Sequence, residues 1–226
     1  MSLSPASFAF LRGLAANNDK AWFEAHRADY EQHLKVPMAV LILDVAAALA
    51  ASGLPLEGEA KRSTFRIHRD VRFAKDKSPY KTSVGAVWYR QGSGKDGAGV
   101  LYFHLGARGC FVAAAFYNPE PEALDAIRER IRVHPDRWLA VTAALDGNGV
   151  ELETGDSLSR MPKGYEDLKG APVADALRLR SFVARRPLLE ATVTGKKLVP
   201  AIIDLAAAAL PLLEFGWAAI DEAGKV

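Results

Sequence analysis

Residues 100–117, VLYFHLGARGCFVAAAFY, contain two apolar runs on either side of the tetrapeptide Gly106-Ala107-Arg108-Gly109. Aromatic and β-branched residues in each run favour strands, and the short glycine-bearing connection predicts a hairpin. Because so short a connection joins antiparallel neighbours, this stretch predicts two paired strands at 100–105 and 111–117.

Two more strands are predicted on the N-terminal side of this hairpin. Residues 83–90 have the same strand-forming composition. Residues 64–73 show the period of two that is typical of a strand. There the apolar side chains Phe65, Ile67, Val71 and Phe73 alternate with Arg66, His68, Asp70 and Arg72. The centre of the chain is therefore predicted to be an antiparallel meander.

Helical spacing of apolar residues appears before and after these strands. Ser4 and Pro5 predict a helix start, and Pro37 predicts a break or restart between two later helices. After the strands, helices are predicted at 119–133, from Pro135, at 173–179 and after Thr194-Gly195, with an irregular stretch at 146–171 and a possible strand at 181–187. This order predicts an α+β fold with helices packing on the sheet. We expect a single domain over 1–226, with N-terminal helices at 1–53, strands at 61–117 and the remainder at 118–226.

Composition indicates a soluble, cytoplasmic protein. Half of the 226 residues are apolar and a quarter are charged, which suits one globular core. The N-terminus lacks a secretory signal pattern. Because Cys110 is the single cysteine, it cannot form an internal disulfide or a cysteine cluster. The most apolar stretch, 198–213, contains two prolines and an aspartate, so we expect a buried helix there and no membrane span.

The strongest charge signal is residues 61–82, KRSTFRIHRDVRFAKDKSPYKT, which we call the basic segment. It has eight basic and two acidic side chains, a local net charge of +6, whereas the whole chain has a net charge of +2. A local cationic patch on a nearly neutral chain indicates a particular anionic partner more than general adhesion to nucleic acid or membranes.

Arg69 is the unusual residue of the predicted strand, because alternation places it among apolar side chains. A guanidinium there needs a carboxylate, backbone carbonyls or a bound anion. One interpretation is a structural ion pair with an early helix acid such as Glu24 or Asp29. The other interpretation is a ligand site.

After this strand, Pro79 fixes a turn in which hydroxyl and cationic side chains are concentrated. Guanidinium forks, lysine charges and hydroxyl donors suit a phosphorylated or other anionic small molecule. The predicted cationic site spans 66–82, and its ligand-binding candidates are Arg66, Arg69, Arg72, Lys75, Lys77, Ser78, Tyr80, Lys81 and Thr82. Lys163 and Tyr165 are weaker candidates, from a second basic group that includes Arg178, Arg180, Arg185 and Arg186. Whether the two groups converge is left open.

Catalytic signals are weaker. Asp70 and Asp76 could orient the cations, act as an acid/base pair or bind Mg²⁺ weakly, and His68 or His104 could act as a base. If the protein is an enzyme, a phosphoryl-ligand hydrolase or transferase is the closest guess. The histidines form no HExxH pattern, so no tightly bound metal and no cofactor are expected.

Two other function classes compete with small-anion binding. A nucleic-acid-binding module would use the same cations, with affinity falling steeply as salt rises. A structural or interaction protein would pair the basic segment with its own acids. The oligomeric state is left open.

Several blocks of the chain resemble the domain of unknown function 2461 family, found in bacteria and fungi. They are Phe10-Leu11, Asn17-Asn18, Trp22-Phe23, Tyr30, residues 66–73, residues 75–82, Phe116-Tyr117 with Pro119, and residues 162–165. The resemblance covers most of the chain, and the central block is long and specific. It implies an α+β protein and assigns no reaction or catalytic residue.

Overall fold

The strands predicted at 83–117 form the centre of one antiparallel sheet. The computed structural model describes residues 2–94 and 97–225. Within them the sheet has the order β1-β2-β3-β4-β6-β5. Its strands are β1 (Leu56–Glu57), β2 (Ser83–Arg90), β3 (Val100–Gly106), β4 (Gly109–Phe116), β5 (Glu151–Leu152) and β6 (Phe182–Leu188). The meander and the additional strand near 181–187 are confirmed.

Helices precede and follow the central strands, so the predicted α+β class is confirmed. They are α1 (Pro5–Ala16), α2 (Lys20–Ala25), α3 (Arg27–Tyr30), α4 (Val36–Ala51), α5 (Pro121–Val133), α6 (Pro135–Gly147), α7 (Ala174–Arg178), α8 (Glu190–Val193) and α9 (Leu198–Ala223). A π-helical turn at Glu31–Lys35 joins α3 to α4, and a 3₁₀ turn lies at Glu166–Leu168.

Of the break or restart predicted at Pro37, the structure shows the restart, because a new α-helix begins at Val36. The π-helical turn leads directly into α4, with Pro37 in its first turn. Proline lacks the N–H that would normally bond the carbonyl of His33, four residues earlier. The buried Ser7 Oγ donates a hydrogen bond of 2.6 Å to that carbonyl instead. A side chain from α1 therefore satisfies the acceptor that the proline leaves free.

The prediction of a strand at 64–73 is wrong. Only Thr64 and His68 form isolated bridges, with Ala86 and Tyr80 respectively. The chain follows β2 from Leu56, opposite Arg90, to Thr64, and then turns away from the sheet. Beyond that point the segment pairs with itself, through Arg69 N–H to the Pro79 carbonyl and Lys81 N–H to the Ile67 carbonyl, so the alternating pattern is not used in the sheet.

The chain divides into two compact units. The first contains the described residues of Met1–Lys95, Tyr102–Val112 and Pro187–Asp204. In it α4 packs on β2, where the buried Trp88 donates a hydrogen bond of 3.1 Å from Nε1 to the Ile42 carbonyl. The single-domain expectation stays a prediction.

The second unit contains the described residues of Asp96–Leu101, Ala113–Arg186 and Leu205–Val226. Its core includes an aromatic cluster in which Trp138 of α6 meets Phe182 of β6 and Phe215 of α9, each at a ring-centroid distance of 5.4 Å. These large rings lie edge to face, an arrangement that adds to the free energy gained by burial.

Two helical stretches, Arg27–Ala51 and Leu198–Ala223, are long and apolar enough to cross a membrane by length and composition. The helix is longer than the 198–213 stretch, because α9 continues through Pro211 to Ala223. Core helices pass the same test, and both stretches contribute buried side chains such as Ile42 and Leu205 to their units. Cytoplasmic localisation stays a prediction.

Candidate functional site

The first part of the basic segment is tied to the edge of the sheet. Ser63 is fully buried, its carbonyl accepts the Val87 N–H at 2.9 Å, and its Oγ accepts the Glu59 N–H at 2.9 Å. Ile67, four residues later, is also buried. These contacts fix where the segment leaves β2.

The end of the basic segment returns beside its start. Arg69 N–H donates to the Pro79 carbonyl at 2.9 Å, and Lys81 N–H donates to the Ile67 carbonyl at 2.8 Å. These bonds flank the bridge between His68 and Tyr80. The residues between them therefore form a closed loop held at its base.

Tyr80 anchors this loop to the N-terminal helices. Its ring stacks on Phe23 at a centroid distance of 4.2 Å and lies 5.2 Å from the ring of His68. Its backbone pairs with the Asn18 side chain, which donates at 3.0 Å and accepts at 3.1 Å. Tyr80 was predicted as a ligand-binding residue, but it is only 3% exposed, and burial raises the pKa of its hydroxyl. Its position is that of a core residue.

Asp76 fixes the far side of the loop. One carboxylate oxygen accepts Ser78 Oγ at 2.6 Å and Ser78 N–H at 2.9 Å, and the other pairs with the Arg69 guanidinium. The Ser78 hydrogen bond, followed by the Arg69 bond, holds the pKa of this carboxyl well below its ordinary value. Arg69 therefore does have a carboxylate partner, although the expectation of Glu24 or Asp29 is wrong. Glu24 pairs with Arg27 instead.

Asp70 holds Arg72 in a second local pair. Its two oxygens accept Arg72 Nε at 3.0 Å and Nη2 at 2.7 Å, and one also accepts the Arg72 N–H at 3.2 Å. These bonds lower the pKa of Asp70. An ionised carboxylate with a lowered pKa has no proton to donate and is a weak base, whereas its oxygens accept the donors of a cation. The geometry of Asp70 and Asp76 favours the orienting role over the acid/base role.

Two lysines of the predicted site also have intrachain contacts. Lys77 Nζ donates to the Val71 carbonyl at 3.0 Å, which folds it back over the loop. Lys81 Nζ lies 5.9 Å from the centre of the Phe65 ring, an exposed cation–π contact. Thr82 is half-buried, and its carbonyl accepts the Ala107 N–H at 3.1 Å. These residues support the loop more than they face a ligand.

Arg66 and Lys75 are the cations of the predicted site that the loop leaves available. Both are exposed, and in the part of the chain that the structure describes neither forms an ion pair or a hydrogen bond through its side chain. Arg66 contributes a Coulombic effect that helps to lower the pKa of Asp70. Positive charge is thus presented on a loop whose shape other residues maintain.

Phe73 was missed by the sequence analysis, which placed it on the buried face of a strand. It is 95% exposed, and the Arg72 guanidinium lies 5.9 Å from the centre of its ring. The charged residues that follow it, from Lys75 to Lys77, were the available signal that the strand pattern had ended.

The two histidine candidates lie in different aromatic clusters. His68 is exposed beside Tyr80 and Phe23. His104 lies on β3, where its ring stacks on Phe111 at 4.7 Å and its Nδ1 is 3.3 Å from the Tyr102 hydroxyl. The two imidazoles therefore have different ring neighbours. Across residues 2–94 and 97–225, no three His, Cys, Asp or Glu side chains group as a metal site.

The second basic group lies in the second unit, whereas the basic segment lies in the first. Lys163 is exposed, and burial raises the pKa of the half-buried Tyr165. Several of its arginines have intrachain partners: Arg178 pairs with Asp175, Arg185 with Glu153 at 2.9 Å, and Arg186 with the Asn148 carbonyl at 2.8 Å. Convergence of the two groups stays open.

Comparison with known proteins assigns the chain to a family. The model of the family described as conserved hypothetical protein DUF2461 matches residues 6–215. The chain therefore belongs to this family, as the resemblance implied. No curated protein and no solved structure gives a significant match.

Proposed function

We propose that this DUF2461 protein binds a phosphorylated or similarly anionic small molecule on the basic segment. The observation that carries the proposal is that the two acids of the loop each hold one arginine, while two other cations stay available. Asp70 and Asp76 hold Arg72 and Arg69 in place, while Arg66 and Lys75 remain exposed without an ion pair among the described residues.

A fixed cationic loop favours binding for two reasons. Less conformational entropy is lost when the ligand binds, because the backbone is already held by Asn18, Tyr80 and the Asp76 turn. An arginine also has five N–H donors, so the ion pairs of Arg69 and Arg72 leave donors that can reach phosphate oxygens. Asp76 and Asp70 then act by positioning these guanidinium groups.

Internal charge pairing is the competing function. Arg62, Arg69 and Arg72 each have an intrachain carboxylate, which is the arrangement that a purely structural basic segment would show. The two functions differ in what Lys75 does. A ligand site requires its charge, whereas a structural network does not use it.

The test is a thermal-shift titration with inorganic pyrophosphate and ribose 5-phosphate, at low and moderate salt. Selective binding to the folded protein raises its Tm. We expect both probes to stabilise the wild type and Lys196→Ala, which removes another exposed lysine, outside the segment. Lys75→Ala and Arg66→Ala should show smaller shifts. If the four proteins respond alike, or if neither probe changes any Tm, the proposal is wrong.

A further inference from the structure

Phe73 is the most exposed of the large apolar side chains in the described parts of the chain. Isolated apolar side chains on a surface are common. Phe73 is distinguished by its neighbours, because Arg72 lies over its ring and Lys75 follows two residues later. An aromatic face is thus presented together with positive charge.

The residue that precedes this ring is held by the contacts that shape the loop. Asp70 holds the Arg72 guanidinium through two hydrogen bonds and also binds the Arg72 backbone. Phe73 follows directly in the chain. Residues 73 and 75 can be separated by no more than about 7 Å between Cα atoms, which follows from the length of an extended chain. A ligand at the ring is therefore close to the Lys75 charge.

A phosphate alone would gain nothing from an exposed phenyl ring. A ligand that joins a phosphate to a planar base would use both groups, since bases stack on aromatic side chains and phosphates bind cations. Such stacking tolerates any base, because every base has a π face.

A lipid surface fits these observations less well. Membrane-binding segments bury a continuous apolar face. The other large rings of the basic segment are engaged, because Phe65 contacts Lys81 and Tyr102, and Tyr80 is buried on Phe23. A single ring surrounded by cations is better suited to stacking than to insertion.

We propose that the basic segment binds nucleotides, either free or within a single strand, with the base stacked on Phe73 and the phosphate at Arg66 and Lys75. This inference rests on the proposed anion-binding function and specifies its ligand class. The shared chemistry is a planar base carried on a sugar phosphate.

The experiment compares AMP, ribose 5-phosphate and pyrophosphate binding by calorimetry for the wild type, Phe73→Leu and Tyr117→Leu. The leucine at 73 keeps an apolar side chain and removes the π face. Tyr117 is a matched control, an exposed aromatic residue of the other unit at 73% exposure. Circular dichroism and Tm confirm that each variant is folded.

We expect Phe73→Leu to weaken AMP binding roughly fivefold to hundredfold, the range for loss of one stacked base. Binding of ribose 5-phosphate and pyrophosphate should stay unchanged in this variant. Tyr117→Leu should match the wild type with all three probes. Equal affinity of the wild type for AMP and ribose 5-phosphate, or no loss of AMP binding in Phe73→Leu, would overturn the nucleotide inference and leave the anion-binding proposal standing. If the wild type binds none of the three probes, both the nucleotide inference and the anion-binding proposal are wrong.

A second arm separates the two sources of the base. A short oligothymidylate is compared with a strand of equal length made of abasic residues, at two salt concentrations. Oligothymidylate binding much more tightly than AMP, with a steep salt dependence, supports a single-stranded nucleic acid. If oligothymidylate, counted per binding site, and AMP bind with equal affinity, the ligand is a free nucleotide. If Phe73→Leu instead reduces binding only to phosphatidylserine vesicles, the ring contacts lipid and the inference is wrong.

Discussion

Asn18 forms two hydrogen bonds through its side-chain amide with the backbone of Tyr80, sixty-two residues later. The amide donates to the carbonyl and accepts from the N–H of the same residue, as a neighbouring strand would do at the base of the basic segment. Asn18 lies between α1 and α2, so this contact ties the loop to the N-terminal helices.

Asn18→Ala should lower the free energy of unfolding by roughly 1–3 kcal/mol, because the backbone N–H and carbonyl of the buried Tyr80 lose their partners. Urea unfolding measures the change. The control is Asn17→Ala, which removes one exposed hydrogen bond to the Gly13 carbonyl and should cost about 0.5 kcal/mol. Equal costs for the two variants would contradict an anchoring role for Asn18.

The bond from Ser7 to the His33 carbonyl should be coupled to Pro37. Ser7→Ala should destabilise the protein by roughly 1–3 kcal/mol, since the part-buried His33 carbonyl loses its donor and the Ser4 N–H loses its acceptor. In a Pro37→Ala background the cost should fall, because residue 37 then supplies a backbone N–H to that carbonyl. A double-mutant cycle by urea unfolding measures the coupling, expected at about 0.5 kcal/mol or more. Additive effects would show that the serine does not replace the missing donor.

Asp76 should make stability fall at acidic pH. Its pKa is lowered in the folded protein by Ser78 and Arg69, so the folded state favours the ionised form more than the unfolded state does. The stabilisation is therefore present above the ordinary aspartate pKa of 3.8 and is lost as the pH falls below it toward the lower pKa of the folded state. Because the side chain is exposed, solvent screening keeps the effect small.

The measurement is urea unfolding of the wild type and Asp76→Asn from about pH 6 to pH 2, the range in which carboxylates titrate. The difference between them should shrink as the pH falls. Asp146→Asn changes an exposed aspartate of α6 by the same charge and serves as the control. A constant difference across the range would mean that the Asp76 contacts do not favour its ionised form.

Gly216→Ala should destabilise the second unit. A Cβ at this position of α9 would overlap the ring of Phe116, which is buried and has little space to move. Overpacking of this kind costs roughly 1–3 kcal/mol. Gly147→Ala is the matched helical control, since a Cβ there meets nothing within 4 Å and should be neutral or stabilising by up to about 1 kcal/mol. Thermal unfolding compares them, and a lower Tm for Gly147→Ala than for Gly216→Ala would refute this packing argument.

The candidate site was only partly predictable. The sequence located the dense charge of the basic segment and recognised that Arg69 needs a partner. It assigned the wrong partner because Asp76 reaches Arg69 only after the chain turns, and that turn depends on Ser78 and Pro79 closing against residues 67–69. It also placed Phe73 in the core. Alternation indicates a strand but does not show where its pairing with a neighbouring strand stops, and here the pairing with β2 stops at Thr64.

Local signals determined the secondary structure of most of the chain, including the hairpin at 100–117 and the helices that start at Pro5 and Pro135. The physical reason is that strand alternation, helix caps and glycine turns act over a few neighbouring residues. Other features depend on contacts between residues far apart in sequence. The basic segment is held by Asn18 at Tyr80, and the π-helical turn is held by Ser7 at His33. Only the tertiary structure could decide them, because hydrogen-bond partners of buried backbone groups depend on which segments pack together.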